Sequence, residues 1–327
     1  MLYPLKFKPL LKERIWGGSV LIDKKGKAAG RIDRTKKYGE SWDLSCVKGD
    51  ISKVCSGILK GNNLEELIEV YMGDLVGEKI FEQYSLEFPL LIKTLDCNDV
   101  LSVQVHPDDE LAAERHDSFG KTEMWYITAC EEGASIYIGF NRNDITREEY
   151  LDAVASGHLT ELLNRVEVKP GDAFFIPAGM VHALGKGVQV VEIQQTSDVT
   201  YRIYDWDRVD DKGNPRELHT SLAVDAIDFA LGVDESRCDF EPKSNKSVKI
   251  AKCKYFTTNI LPIDGEVTKD YASLDSFVIF MCIGGSAELE SDGHIEKLSD
   301  GDVVLLPAEF NEVNIKGNAK LLEVYIE

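Results

Sequence analysis

The chain has 327 residues, 43% of them hydrophobic, enough to bury a sizeable core in two domains or in one large domain with insertions. Its 57 acidic against 37 basic residues leave a formal net charge of −20. That sign excludes a nucleic-acid partner but leaves room for a small anion in a locally basic pocket. Apolar runs fall short of the roughly 20 residues a membrane span needs. The first residues lack the apolar stretch of a signal peptide, and the seven cysteines include no CxxC pair. A cytoplasmic protein with reduced thiols is the expectation.

Taken in order, Lys12-Glu13-Arg14-Ile15-Trp16-Gly17-Gly18 reads as a loop entering the fold with Trp16 packed against it, and residues 38–45 as a strand. Asn63 caps a helix that runs to about residue 70, where apolar residues recur at helical spacing. Residues 89–96 form a strongly apolar strand. The next strand, 101–109, ends at Pro107, and its alternation puts Ser102, Gln104 and His106 on one face and Val103 and Val105 on the other. Polar groups inside a core must find partners, and a metal ion would supply one. A short helix over 108–118 follows. Strands over 124–130 and 134–140, separated by Glu131-Glu132-Gly133, have the signature of a hairpin. Residues 144–164 read as a helical insertion, 173–177 and 188–193 as strands, and the acidic, polar stretch 225–246 as a linker.

After that stretch the pattern returns. Gly171-Asp172-Ala173-Phe174-Phe175-Ile176-Pro177-Ala178 reappears as Gly301-Asp302-Val303-Val304-Leu305-Leu306-Pro307-Ala308, at a constant offset of 130 residues. Short strands with glycine turns, repeated, predict a mainly β protein built of two similar sandwich or barrel units. At the same offset His182 becomes Glu312, and the second copy has no counterpart of Gln104-x-His106. The chemistry therefore belongs to the first unit.

Gln104, His106, Glu123 and His182 together offer four nitrogen and oxygen donors. Two imidazoles and a carboxylate suit zinc, or iron in a facial triad. With only one carboxylate the metal would keep net positive charge, able to polarise a bound oxygen. His116, His158 and His219 fall on helix or loop segments and read as ordinary surface or structural histidines.

Ligands spread over such strands look like those of a cupin. Further, Lys12 to Gly18, Gly39-Glu40-Ser41-Trp42, Pro89-Leu90-Leu91-Ile92-Lys93, Gln104-Val105-His106-Pro107-Asp108, Lys121-Thr122-Glu123-Met124-Trp125-Tyr126 and the 192–208 segment resemble the type I mannose-6-phosphate isomerase family in its short bacterial form. The resemblance covers nearly the whole chain. It implies two cupin (jelly-roll) units: a catalytic one over 1–240 with helical insertions near 63–70, 108–118 and 144–164, and one over 241–327 without metal ligands. It implies one zinc ion (Zn2+) per chain on Gln104, His106, Glu123 and His182, and a small sugar phosphate as the partner.

On the family pattern Ser102 and Lys121 line the sugar-phosphate pocket, and Glu192 and Arg202 match its acidic and arginine residues. Arg208 falls where longer relatives carry a lysine and is a further substrate-binding candidate. The implied reaction interconverts mannose 6-phosphate and fructose 6-phosphate through a cis-enediol. Arg202 would be a second cation beside the metal, with the base open among Glu192, Lys121 and a zinc-bound water. The large helical domain of the longer relatives is absent. Rival readings on the same ligands are an iron-dependent cupin dioxygenase and a non-catalytic sugar-binding cupin. The sequence specifies no oligomeric state.

Overall fold

Residues 1–209, 212–232 and 236–327 are described by the computed structural model; residues 233–235 of the expected linker lie outside them. Strand alternation sorts the first unit's side chains into three layers. A six-stranded antiparallel sheet runs in the order Leu10–Gly18, Tyr38–Leu44, Leu90–Cys97, Val188–Gln195, Glu123–Cys130, Ala173–Ile176. It faces a five-stranded sheet in the order Tyr201–Tyr204, Val103–Val105, His182–Leu184, Ser135–Phe140, Leu163–Glu167. Leu95, Trp125, Ile127 and Val190 from the first sheet meet Ile136, Ile138 and Leu184 from the second in a shared core. Burying each such side chain contributes about 1.5–3 kcal/mol.

The outer faces are covered as well. Val103, Val105, Ala183, Tyr201 and Ile203 pack against Tyr150 of helix Arg147–Ser156 and Ala223 and Val224 of helix Thr220–Ala226. Ile92, Met124, Tyr126, Val191 and Ile193 join a cluster that continues into the C-terminal unit. That unit is a seven-stranded sheet ordered Leu5–Lys6, Val303–Leu306, Val278–Ser291, Glu312–Tyr325, Thr257–Asp270, Val248–Lys252, with His294–Ser299 paired onto Val278–Ser291. The N-terminal strand Leu5–Lys6 thus lies in the C-terminal sheet, with Leu5 opposite Leu305. The fold is mainly β, as expected, and the repeat is visible in it. Ala173–Ile176 pairs with the start of Glu123–Cys130 just as Val303–Leu306 pairs with the start of Val278–Ser291.

Three local expectations are corrected. Lys12 to Gly18 is not a loop but part of the strand Leu10–Gly18, where crowding selects glycine: a methyl group on Gly39 would lie 2.4 Å from the Trp16 ring. The strands on either side of Glu131-Glu132-Gly133 do not pair as a hairpin. One joins the six-stranded sheet and the other the five-stranded sheet, so the turn carries the chain across the sandwich. The helical run ends at Ser156, gives a 3-10 turn over Leu159–Leu162 and becomes the strand Leu163–Glu167. The helix over 108–118 is present as Asp109–His116. The helix capped by Asn63 breaks at Met72, where φ is +46°, and helical backbone resumes as far as Val76; Asn63 and Glu66 cap each other's backbone N–H. Among the described residues no helix is long and apolar enough to cross a membrane.

Candidate metal centre and its cavity

Sheet register sets the floor and roof of the site. Trp42, Lys93, Glu192, Trp125 and Phe174 form one transverse row of the six-stranded sheet, and Leu91, Gln194, Glu123 and Ile176 form the next. On the facing sheet Arg202, Gln104, His182 and Ile138 lie side by side. With a period of two, all the polar members of these rows point into the sandwich. The turn before His182 is tied in by Gly179, at φ +89°, whose N–H donates to the His106 carbonyl at 2.9 Å.

Both imidazoles are locked by their far nitrogen. His106 Nδ1 lies 3.0 Å from the Val199 carbonyl and His182 Nδ1 2.8 Å from the Met180 carbonyl. A carbonyl only accepts, so Nδ1 carries the proton in each and Nε2 presents a lone pair. Burial, then the neighbouring Lys121 charge, holds His106 well below its ordinary range, and burial holds His182 at about 4. Both are neutral donors at neutral pH.

The two Nε2 atoms each lie 3.5 Å from one oxygen of Glu123. All three donor atoms fall within 4.8 Å of one another. Zinc bonds of about 2.1 Å in a tetrahedron would put neighbouring donors about 3.4 Å apart, close to what is found. Glu123 Oε1 is buried and, among the described residues, has no hydrogen-bond partner. Leaving such an atom unmet costs about 1–3 kcal/mol, and a cation between the imidazoles would satisfy it. Gln104 Nε2 is 3.2 Å from His182 Nε2; rotating the amide brings its carbonyl oxygen to the same place. The donor set therefore fits a metal ion.

Around the donors the charges alternate. Lys121 Nζ donates to Glu123 Oε2 at 2.7 Å and to His106 Nε2 at 2.9 Å. Burial disfavours its ammonium form, but the Glu123 and Glu192 charges outweigh that and raise its proton affinity. Glu192 accepts from Lys93 at 3.0 Å and from Trp125 Nε1 at 3.0 Å. Burial alone would raise Glu192, yet Lys93 and Lys121 bring it to about 2. Burial and the Glu192 charge push Glu123 the other way, to about 7. A divalent ion at Glu123 would reverse that push.

These groups open on a cavity of about 350 Å³ whose lining includes Ser102, Gln104, Lys121, Glu192 and Arg202. His219, read from sequence as ordinary, positions Arg202: its Nδ1 accepts from Arg202 N at 3.0 Å and its own N–H donates to Arg202 O at 2.7 Å. His116 and His158 are exposed and engage Tyr201 and Glu161. Arg208 is not among the lining residues; it donates to Val100 O at 2.6 Å and to Asp205 Oδ1 at 2.6 Å.

Arg14, Glu40, Lys93 and Arg216 line the cavity and were missed. A lysine inside the apolar run Leu90-Leu91-Ile92-Lys93 was the available signal for Lys93, since a buried ammonium needs a partner. Arg216 gave none.

A family model for the catalytic domain of type I phosphomannose isomerase matches residues 4–140, and one for the mannose-6-phosphate isomerase cupin domain matches residues 246–326. Mannose-6-phosphate isomerase ManA of Bacillus subtilis is 36% identical over 324 residues, covering 98% of each chain. A crystal structure of the mannose 6-phosphate isomerase from Bacillus subtilis, 36% identical, superposes with a TM-score of 0.87 over 99% of this chain and 100% of the other. A putative mannosephosphate isomerase from Archaeoglobus fulgidus, 21% identical, shares the fold with a TM-score of 0.79 over 99% of this chain and 97% of the other. The chain belongs to the type I phosphomannose isomerases, a family of enzymes.

Proposed function

We propose that this enzyme interconverts mannose 6-phosphate and fructose 6-phosphate through a cis-enediol, with one zinc ion held by Gln104, His106, Glu123 and His182. The observation that carries the reading is the buried His106–Glu123–His182 cluster, whose contacts Gln104 and Lys121 line a cavity together with Glu192 and Arg202. The full-length similarity to named mannose-6-phosphate isomerases supports the substrate. We read residues 1–240 as the catalytic unit and 241–327 as a unit without metal ligands. Seven unpaired cysteines support a cytoplasmic setting.

Moving a proton between C1 and C2 needs a proton acceptor and a proton donor close together in opposite charge states. Glu192, kept ionised by Lys93, is the acceptor for the C2 proton, and Lys121, kept as an ammonium by the surrounding carboxylates, gives a proton to the C1 oxygen. The same pair acting at C1 and on the C2 hydroxyl completes the ketose. Arg202 offsets negative charge on the sugar oxygens as it develops, and Ser102 donates a hydrogen bond at the cavity wall. Zinc, when bound, polarises those oxygens. Purified zinc-loaded protein given mannose 6-phosphate should form fructose 6-phosphate in a coupled assay, lose the activity to a chelator and regain it with zinc. Zinc-loaded protein that forms no ketose phosphate would sink this reading.

A further inference from the structure

Among the described residues three arginines, Arg14, Arg202 and Arg216, line the cavity, and Arg14 is paired with Glu40. Arg216 is held from one side: Nε donates to Asp205 Oδ2 at 2.7 Å and Nη2 donates to Asp205 Oδ1. Those bonds use two of its five N–H donors. Arg202 donates from Nη1 to Glu217 O at 2.7 Å, while its Nε is buried and, among the described residues, has no hydrogen-bond partner.

Arg208 has a different task. Trp206 and Asp207 follow one another at φ +57° and +54°, a left-handed conformation that non-glycine residues rarely adopt in succession. The turn is held by Trp206 Nε1 to Leu101 O at 2.6 Å, by Tyr204 Oη to Asp207 Oδ2 at 3.1 Å, and by Arg208 to Val100 O and Asp205. A bridge between Val209 and Pro215 then brings Arg216 back to the same Asp205.

Among the described residues five cationic side chains line the cavity against three carboxylates, so its charges do not cancel. Arg208 and Arg216 share the buried Asp205 carboxylate, Asp99 is exposed and 3.8 Å from Arg208, and exposed Asp198 lines the cavity. Burial, then the like charge of Arg216, lower the proton affinity of Arg202. Paired guanidinium groups with spare donors around a small cavity are completed by a tetrahedral dianion, which they grip in a fork.

We propose that Arg216, together with Arg202, clamps the phosphate group of the substrate, and that Arg208 is a positioning residue which fixes the Trp206–Asp207 turn without touching phosphate. The inference rests on the sugar-phosphate reading above and moves the second phosphate cation from Arg208 to Arg216.

Inorganic phosphate is the probe, both as a competitive inhibitor and by calorimetry on non-turning-over protein. Arg216→Gln should raise the inhibition constant of phosphate and the KM for mannose 6-phosphate about 10- to 100-fold, as expected for a lost charge-assisted contact, with kcat falling far less. Arg216→Lys should recover part of the loss. Arg208→Gln, which keeps an amide donor for Val100, should lower the thermal midpoint and leave the phosphate inhibition constant unchanged. The proposal is overturned if Arg216→Gln binds phosphate like the parent, or if Arg208→Gln weakens phosphate as much as Arg216→Gln does. Loss of phosphate binding in Arg216→Gln without any isomerisation by the parent would keep the clamp and discard the assigned reaction.

Discussion

Glu323 stands in the second unit where Glu192 stands in the first. Glu192 is flanked in register by Lys93 and Trp125, and Glu323 by Asn259 and Phe280, on strands whose edge partners repeat at the 130-residue offset. Both acids are buried. The other positions diverge: by the same registers Glu123 becomes Val278, Gln104 becomes Asp270 and His182 becomes Glu312. Glu323 is satisfied locally, by Tyr271 Oη, by Asn259 Nδ2 at 2.8 Å and by Lys269 at 3.2 Å. One sheet geometry thus holds a buried acid twice, with a metal-type donor set in one copy.

That difference separates stability from turnover. Glu323→Gln breaks a buried hydrogen-bonded network and should cost about 1–3 kcal/mol in chemical denaturation, with zinc content and kcat unchanged. A parallel loss of kcat would tie the second unit to the chemistry.

Lys93 was hidden in an apolar strand, yet it sets the charge of Glu192. Lys93→Met strips the nearest cation from a buried carboxylate, which should cost about 3–5 kcal/mol of stability and roughly 100-fold in kcat/KM. With Lys93 gone, the Glu192 pKa rises from about 2, so the acid limb of the pH–rate profile should move to higher pH. An unmoved acid limb would remove Glu192 from the proton transfer.

Asp109, the first residue of the helix Asp109–His116, ties the two units together. Its Oδ1 accepts from Gln195 Nε2 at 2.8 Å and its Oδ2 from Tyr255 Oη and from Lys254 Nζ at 3.0 Å. Burial raises its proton affinity, but these bonds outweigh it and hold the carboxylate below its ordinary value. A group depressed on folding stabilises above its unfolded pKa, about 3.9, and loses that contribution as pH falls through the lower folded value. Asp109→Asn should therefore cost about 1–2 kcal/mol at neutral pH, a part-exposed carboxylate being screened. The difference from the parent should shrink in acid. Denaturation at both pH values checks it, and a gap that widens in acid would reverse the sign.

Much of the site was legible because period-two alternation is local. Ser102, Gln104 and His106 fall on one face whatever the rest of the chain does, and the Asn63–Glu66 capping box lies within one helical turn. What escaped depends on distant partners. Glu131-Glu132-Gly133 looks like a hairpin turn, but its strands find better apolar neighbours in separate sheets. Lys12 to Gly18 reads as a loop until Gly17 and Gly39 let two strands approach across Trp16. Arg208 and Arg216 cannot be told apart without the Val209–Pro215 bridge and the shared Asp205.

Glu123 is the one carboxylate in the donor cluster, and its orphaned oxygen marks it as the test of the metal. Glu123→Ala should purify with little zinc by elemental analysis and fold with near-parental strand content. Parental zinc content in that variant would take Glu123 out of the coordination set.

The most direct measurement is a titration of metal-stripped protein with zinc while conversion of mannose 6-phosphate is followed. Turnover should start near zero and climb to a plateau at one zinc per chain. Full turnover in the stripped protein, or stoichiometric zinc binding without turnover, would contradict a zinc-dependent isomerase at His106, Glu123 and His182.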